Sequence, residues 1–179
     1  MATSSMLKSS NGSSFCVSSL LKVIIVLAAM IFSAENSYVS AKGKTSSPEF
    51  EKAIALLKKY EGLHKNHGNL IGYGHLVVEG DGYKPGANLS EAQADRLLRK
   101  DLRLLCKEYR SLGKDSLLMA VFAYNLGKGG VARSSVYKSL QAGNRNIKNT
   151  YLSYCKAKGK IITQLQKRRQ EELETLFFD

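Results

Sequence analysis

Glu61 is the residue whose sequence context best suits acid–base chemistry. Glu61 closes a run of apolar residues at helical spacing, and Gly62 directly after it ends that periodicity. A glycine-rich stretch, IGYGH at residues 71–75, follows soon afterwards, and its glycines allow close approach of the backbone. A carboxyl at the end of an apolar helix beside such a turn is partly desolvated, which favours the protonated form that a general acid needs. By composition alone, these residues also fit an ordinary helix end followed by a glycine-rich hairpin.

The helix that would present Glu61 has clear local signals. Ser47 can cap its N-terminus, and Pro48 suits the first helical position. Glu49 and Glu51 then favour the positive end of the helix dipole. Apolar residues recur at three- and four-residue spacing after this start, which predicts one buried face. The residues of that face are Phe50, Ala53, Ile54, Leu57 and Tyr60.

The rest of the chain predicts a small β element followed by helices. Residues 62–89 are rich in glycine with two short apolar runs, which predicts a hairpin or a three-stranded sheet. Ser90 and Gln93 form a capping-box pair at the next helix, and Ser116–Leu126 is apolar nearly all round, as in a central buried helix. Further helices are predicted at residues 134–142, 147–156 and 161–178. This order predicts an α+β fold, mostly helical with one small early sheet.

The N-terminal segment has the features of a targeting sequence. Residues 1–22 are Ser-rich without acidic residues, and residues 23–32 form the apolar run VIIVLAAMIF. A membrane-spanning helix needs about 20 apolar residues, so this run is too short to span comfortably. It predicts a signal peptide over residues 1–41, with an uncleaved signal anchor as the alternative. Residues 42–46 then form a linker and residues 47–179 the folded domain, exported to the periplasm or secreted, or held at the membrane by the anchor.

Two cysteines and three histidines remain after the predicted signal peptide. Cys106 and Cys155 allow one disulfide in an exported domain, although two buried thiols fit the sequence equally well. His64 and His67 lie in a loop-like stretch, where they are a weak signal for a metal site. The sequence therefore predicts no metal and no cofactor.

Several short motifs occur in an order that resembles the phage-type lysozymes, glycoside hydrolase family 24. They are EGL at 61–63, IGYGH at 71–75, LSEAQA at 89–94, FAYNLG at 122–127, SS at 134–135, AGN at 142–144 and RRQEE at 168–172. The resemblance covers about residues 47–178, and a bacterial subset with a shortened catalytic hairpin and an EGLHK opening is closer still.

The resemblance implies a lysozyme-like fold and a muramidase, EC 3.2.1.17. Such an enzyme hydrolyses the β-1,4 bond between N-acetylmuramic acid and N-acetylglucosamine in peptidoglycan. Carried onto this chain, Glu61 is the general acid that protonates the leaving oxygen. The resemblance also implies a partly buried pair between His75 and Asp101 that joins sheet to helix. Tyr73 and Asn125 are candidates to line the glycan groove, with a cross-strand contact and a helix-end hydrogen bond as the respective alternatives.

The sequence departs from the family at the second catalytic carboxylate. Glu61 and His75 are 14 positions apart, and no acidic residue lies between them where the family has an Asp. Glu79 or Asp81 could fold back to replace it, or polar groups such as His67 could orient a water. Two other functions stay open: a lytic transglycosylase with a single carboxyl group, and a non-catalytic protein that binds peptidoglycan.

The charge balance fits the same substrate. The chain has 27 Lys and Arg against 15 Asp and Glu, a net charge of +12. Charge alone does not choose among nucleic acid, membrane and cell wall, but the aromatic interleaving of single-strand binders is missing. The expected partners are therefore peptidoglycan and the anionic cell envelope, with no nucleic acid and a monomeric state. Arg168 and Arg169 are expected to pair with acids in the last helix, with a solvated basic face as the alternative.

Overall fold

The computed structural model describes residues 46–178, apart from the side chains of Asn66 and His67. The predicted signal peptide over residues 1–41 lies outside the described residues. Within the described part, no helix is both long enough and apolar enough to cross a membrane.

Helix α1 spans Pro48–Glu61 and begins and ends as predicted. The Ser47 hydroxyl accepts a hydrogen bond from the Phe50 N–H at 3.2 Å, which caps the helix. Gly62 ends it with a φ of 68°, a left-handed conformation that favours glycine. Glu61 is therefore the last residue of the helix, and its position follows from the glycine after it.

A three-stranded antiparallel sheet follows in the order β1-β2-β3, as expected. Its strands are His64–His67, Leu70–Gly72 and His75–Leu76. The register pairs Ile71 with His75, so a tight turn at Tyr73 and Gly74 joins the last two strands. Gly74 adopts a φ of 92° at this turn. The turn lies beside the end of α1.

Two longer helices form the centre of the domain. Helix α2, Glu91–Glu108, starts with the predicted capping box of Ser90 and Gln93. A 3₁₀ turn over Arg110–Asp115 leads into α3, Ser116–Leu126. Residues 118–123 of α3 are at most 4% exposed, which confirms the central helix predicted from its apolar sequence.

The C-terminal part differs from the prediction in two respects, the first being a helix over Lys128–Arg133 that was not predicted. Helices α4, α5, α6 and α7 span Lys128–Arg133, Ser135–Gln141, Lys148–Ser153 and Thr163–Leu176. The helix predicted over residues 147–156 ends at Ser153, and a hairpin of β4, Lys156–Ala157, and β5, Lys160–Ile161, follows it. The prediction was wrong there because the chain leaves the helix at Tyr154, with a ψ of 45°, and Lys156 pairs with Ile161 instead. Lys158 and Gly159 form the turn of this hairpin with positive φ values of 49° and 77°.

The disulfide considered between Cys106 and Cys155 is not formed. Both residues are free thiols, half-buried in α2 and buried before β4 respectively. Burial raises the pKa of the Cys106 thiol to about 11. Because the thiolate is the species that reacts to form disulfides, such a buried thiol is unreactive and packs as a small apolar side chain.

Candidate active site

Glu61 lies where the end of α1 meets the turn between β2 and β3. Its side chain is 19% exposed. Oε1 accepts a hydrogen bond from Nη2 of Arg168 at 2.8 Å. Oε2 faces Gly74, where a Cβ atom would lie only 3.5 Å from it. One oxygen of the carboxylate is therefore held by a cation, while the other points toward the glycine turn.

Arg168 belongs to a buried network of charges on α7. Its Nε donates to Oε1 of Glu172 at 2.8 Å, and Nη1 of Arg169 donates to Oε2 of the same carboxylate. The Tyr151 hydroxyl adds a third bond to Glu172 at 2.7 Å. This confirms the expected pairing of both arginines with an acid of the last helix. The bond from Arg168 back to Glu61 was not predicted: the sequence predicted only a partly desolvated carboxyl group, and the structure gives that group a cationic partner.

A cavity of 280 Å³ opens on one side of Glu61. Its lining is mostly polar: Tyr60, Glu61, Asn125, Ile162, Gln164, Leu165 and Arg168. Oδ1 of Asn125 accepts a hydrogen bond from Nη2 of Arg169, so Asn125 joins the charge network to this cavity. Its contact with a glycan stays a prediction.

Tyr73 is part of the core. It is 7% exposed, and its carbonyl accepts a hydrogen bond from the Tyr124 hydroxyl at 3.0 Å. This bond ties the β2–β3 turn to the central helix. Burial raises the pKa of Tyr124 far above its ordinary range, which keeps that hydroxyl a donor. Tyr73 therefore offers little surface to a glycan.

A second cavity of 370 Å³ lies on the Gly74 side. Gly74, Leu76, Leu104 and Tyr124 are among the residues that line it. Leu76 and Leu104 are each 57% exposed, so this cavity has an apolar rim. Glu61 thus has a polar cavity on one side and, across Gly74, a more apolar one.

The expected contact between His75 and Asp101 is present, and it is part of a larger cluster. Nδ1 of His75 lies 2.7 Å from Oδ2 of Asp101, and Nε2 lies 3.0 Å from Oδ2 of Asp81. Both ring nitrogens therefore face carboxylates, so at least one N–H of the ring donates a hydrogen bond to a carboxylate. The cluster joins β3, the following loop and α2.

The two carboxylates around His75 differ in environment. The backbone N–H groups of Val78 and Tyr83, each at 2.9 Å, and then His75 lower the pKa of Asp81 to about 2. Burial raises the pKa of Asp101, although His75 acts in the opposite direction. Both oxygens of Asp81 are occupied in closing its own loop, so it is not poised to act as a second catalytic group.

The other candidates for that second group are placed differently. Glu79 is exposed on the same loop, with no hydrogen bond or ion pair to any described residue. His67 belongs to β1, and its side chain is outside the described part. Among the residues that the structure describes, no group of three or more His, Cys, Asp or Glu side chains could hold a metal ion.

A mostly helical domain with a small sheet, in which a helix-end glutamate faces a glycine turn, defines the lysozyme-like class. The chain belongs to the phage lysozyme family, whose model matches residues 57–172. It is 33% identical over 144 residues to an endolysin of Bacillus phage B103, an alignment that covers 71% of this chain and 52% of the relative. The chain therefore spans about half the length of that curated relative.

Solved structures share this fold. A mutant of P22 lysozyme is 27% identical, with a TM-score of 0.54 over 70% of this chain and 95% of that one. The muramidase domain of SpmX from Asticaccaulis excentricus is 21% identical, with a TM-score of 0.58 over 72% of this chain and 96% of that one. At that identity, the second likeness speaks for the fold alone.

Proposed function

We propose that this domain is a peptidoglycan hydrolase that cleaves the β-1,4 bond between N-acetylmuramic acid and N-acetylglucosamine, the reaction of EC 3.2.1.17. The observation that carries the proposal is the placement of Glu61 between two cavities, with one oxygen held and one facing the glycine turn. Membership of the phage lysozyme family supports the same substrate class.

In this mechanism Glu61 is the general acid. Oε1 stays hydrogen-bonded to Arg168, so the carboxyl group keeps one orientation. A proton carried on Oε2 can then pass to the leaving glycosidic oxygen as the bond to the anomeric carbon breaks. Arg168 is a positioning residue in this scheme, because it acts through Glu61.

Hydrolysis also needs a group that activates or positions a water. Glu79 is the candidate that we favour, because it is exposed and carries no bond within the described residues, whereas Asp81 is occupied. Glu79→Gln should then lower the rate of hydrolysis strongly and leave the melting temperature unchanged. An unchanged rate would remove Glu79 from the mechanism.

A lytic transglycosylase is the second candidate, and the occupied Asp81 favours it. Here Glu61 would protonate the leaving oxygen and then accept the proton of the substrate's C6 hydroxyl as that oxygen bonds to the anomeric carbon. The product would be a 1,6-anhydro muramic end, lighter than the hydrolysis product by one water. Mass spectrometry of purified peptidoglycan after digestion decides between them: reducing ends support hydrolysis, and anhydro ends alone refute it.

A non-catalytic binding protein is tested by a simpler measurement. A zymogram with embedded cell walls should show a cleared band for the wild-type chain and for Glu174→Gln, a control at an exposed residue. No clearing by folded wild-type protein would favour the binding function instead.

We also propose that the domain works outside the cytoplasm, on the basis of the signal sequence predicted over residues 1–41. We further propose that it works as a monomer. N-terminal sequencing of the exported protein should find a start near residue 42. Retention of the full chain in the cytoplasm would contradict export, and a single monomeric mass in light scattering is the expected state.

A further inference from the structure

The β4–β5 hairpin carries three lysines whose charges are not neutralised locally. Lys156, Lys158 and Lys160 are all exposed. Among the residues that the structure describes, none makes a hydrogen bond or ion pair to the side-chain ammonium group of these lysines. By contrast, Lys128 and Arg145, on either side of α5, are paired with Glu108 and Asp115.

The register of the hairpin places one lysine on the side of the Glu61 cavity. Lys160 pairs with Ala157, and the Ile162 N–H continues the ladder with a 2.8 Å bond to the Cys155 carbonyl. Alternate residues of a strand share a face, so Lys160 and Ile162 lie on the same face, about 7 Å apart along the strand. Ile162 lines the Glu61 cavity, so the face that carries Lys160 continues toward that cavity. Lys156 pairs with Ile161 and therefore lies on the other face of the hairpin.

The tip of the hairpin holds a lysine in an unfavourable backbone conformation. Lys158, with its φ of 49°, is the described non-glycine residue with a positive φ. Two-residue turns of this kind favour Asn or Gly at that position, because a Cβ atom clashes with the following carbonyl. Strained positions cluster at functional sites, so a lysine at this position favours a role for its charge.

The surrounding sequence is uniformly basic. Between Asp115 and Glu171 the chain has eleven basic residues and no acidic one. The hairpin therefore belongs to a segment of the sequence without Asp or Glu, and the positive potential of this segment attracts anions.

We propose that this lysine hairpin, residues 156–161, binds carboxylates of the peptide stems on the glycan strand that Glu61 cleaves. The inference rests on the proposed function and adds a recognition surface to it. Continuity with the Glu61 cavity favours the stems over an anionic lipid surface, because a strand seated at Glu61 brings its own stems to the hairpin. The sugars alone offer few anionic groups for three lysines.

The test separates binding from cleavage by using the full chain with Glu61→Gln. Co-sedimentation with insoluble peptidoglycan is compared for this chain and for one that also has Lys156→Gln, Lys158→Asn and Lys160→Gln. The hairpin variant should bind about tenfold more weakly, as expected for the loss of three exposed ion pairs. Its affinity should also depend less steeply on salt.

Two controls make the result specific. Lys114→Gln, Lys138→Gln and Lys148→Gln together remove the same charge at exposed positions away from the hairpin, and should retain most of the binding. Lys158→Asn alone should bind about twofold more weakly with a melting temperature that is equal or higher, because Asn tolerates positive φ better. Weaker binding without a loss of stability excludes simple misfolding of the hairpin.

A second substrate identifies the ligand. Peptidoglycan whose stem carboxylates have been converted to neutral amides with a carbodiimide and ammonia should bind the parent chain and the hairpin variant equally. Equal losses on both substrates, equal losses in the control triple variant, or an effect only on vesicles of anionic phospholipid would each overturn the proposal. If the wild-type chain fails to cleave peptidoglycan, the proposed function fails, while sedimentation of the Glu61→Gln chain still tests the hairpin.

Discussion

The β2–β3 turn lies beside Glu61, and the residue that follows the β4–β5 hairpin lines the Glu61 cavity. These two regions differ in how their charged groups are paired. In the early sheet, the loop after β3 is closed by Asp81, whose oxygens bond to His75, Val78 and Tyr83. In the late hairpin, three lysines project without a partner among the described residues. The first arrangement satisfies its charges within the fold, and the second leaves them for a ligand.

This difference corresponds to two roles: one region orients the catalytic carboxyl group, and the other binds the substrate. Glu61 is oriented from the C-terminal side by Arg168, which is itself fixed by Glu172. On the early side, Gly74 leaves room beside Oε2. A hydrogen-bonded carboxyl group with one accessible oxygen suits proton transfer, whereas exposed lysine ammonium groups suit the recognition of a variable anionic chain.

Breaking the support of Glu61 should have the largest effect. Glu172→Gln removes the negative charge that two buried arginines share, and leaving buried charges unpaired costs about 3–5 kcal/mol. Urea unfolding should show a loss of this size. Glu174→Gln, on the exposed side of the same helix, should change the free energy of unfolding by less than about 0.5 kcal/mol. If both substitutions change the free energy of unfolding by a similarly small amount, the buried charge network contributes little to stability.

Disrupting the cluster of His75, Asp81 and Asp101 should reduce the free energy of unfolding less than Glu172→Gln does. His75→Asn removes the ring that joins two carboxylates, and bonds to charged groups contribute about 1.5–3 kcal/mol each. We expect a net loss of about 2 kcal/mol in urea unfolding at neutral pH, because exposure of the cluster screens part of it. An unchanged melting temperature would show that the cluster is not formed in solution.

A substitution at Gly74 should have a smaller effect on stability, and it tests whether Oε2 of Glu61 must stay accessible. Gly74→Ala forces a Cβ atom into a backbone with φ of 92° and should cost about 1–2 kcal/mol. The new methyl group would also lie in van der Waals contact with Oε2 of Glu61, so kcat should fall. Gly82→Ala, at an open loop position with a positive φ of 85°, is the matched control, with a similar loss of stability and no fall in kcat.

The smallest expected effect is a pH dependence from Asp81. Its folded pKa of about 2 lies below the ordinary value of 3.8, so its ionised form stabilises the fold above pH 4. That contribution is lost as pH falls from 4 to 2. Asp81→Asn should therefore lower the melting temperature at pH 5, and the gap to wild type should narrow by pH 2. A constant gap across this range would contradict the assignment.

Local signals explain which parts of this account could be predicted from the sequence. The Ser47 cap, the Ser90–Gln93 capping box and the all-apolar Ser116–Leu126 helix are encoded within a few residues. Glu61 followed from Gly62 for the same reason. The i,i+4 spacing of Arg168 and Glu172 also made their pairing predictable.

Contacts between distant residues could not be predicted in this way. Glu61 and Arg168 are 107 positions apart, and no local pattern connects them. The β4–β5 hairpin was missed because its strands are two residues long and lack an alternating apolar pattern, and because its turn begins with Lys158 where Asn is typical. For the two cysteines the sequence supplied only their number, and the structure shows both as free thiols.

The most direct test of the account is the rate at which Glu61→Gln releases reducing ends from purified peptidoglycan, compared with wild type at equal concentrations of folded protein. The substitution keeps the size of the side chain and an acceptor for Arg168, but it removes the transferable proton. If Glu61 is the general acid, kcat should fall at least about a hundredfold while binding to peptidoglycan is retained. Activity within a few-fold of wild type would contradict the role of Glu61 as the general acid.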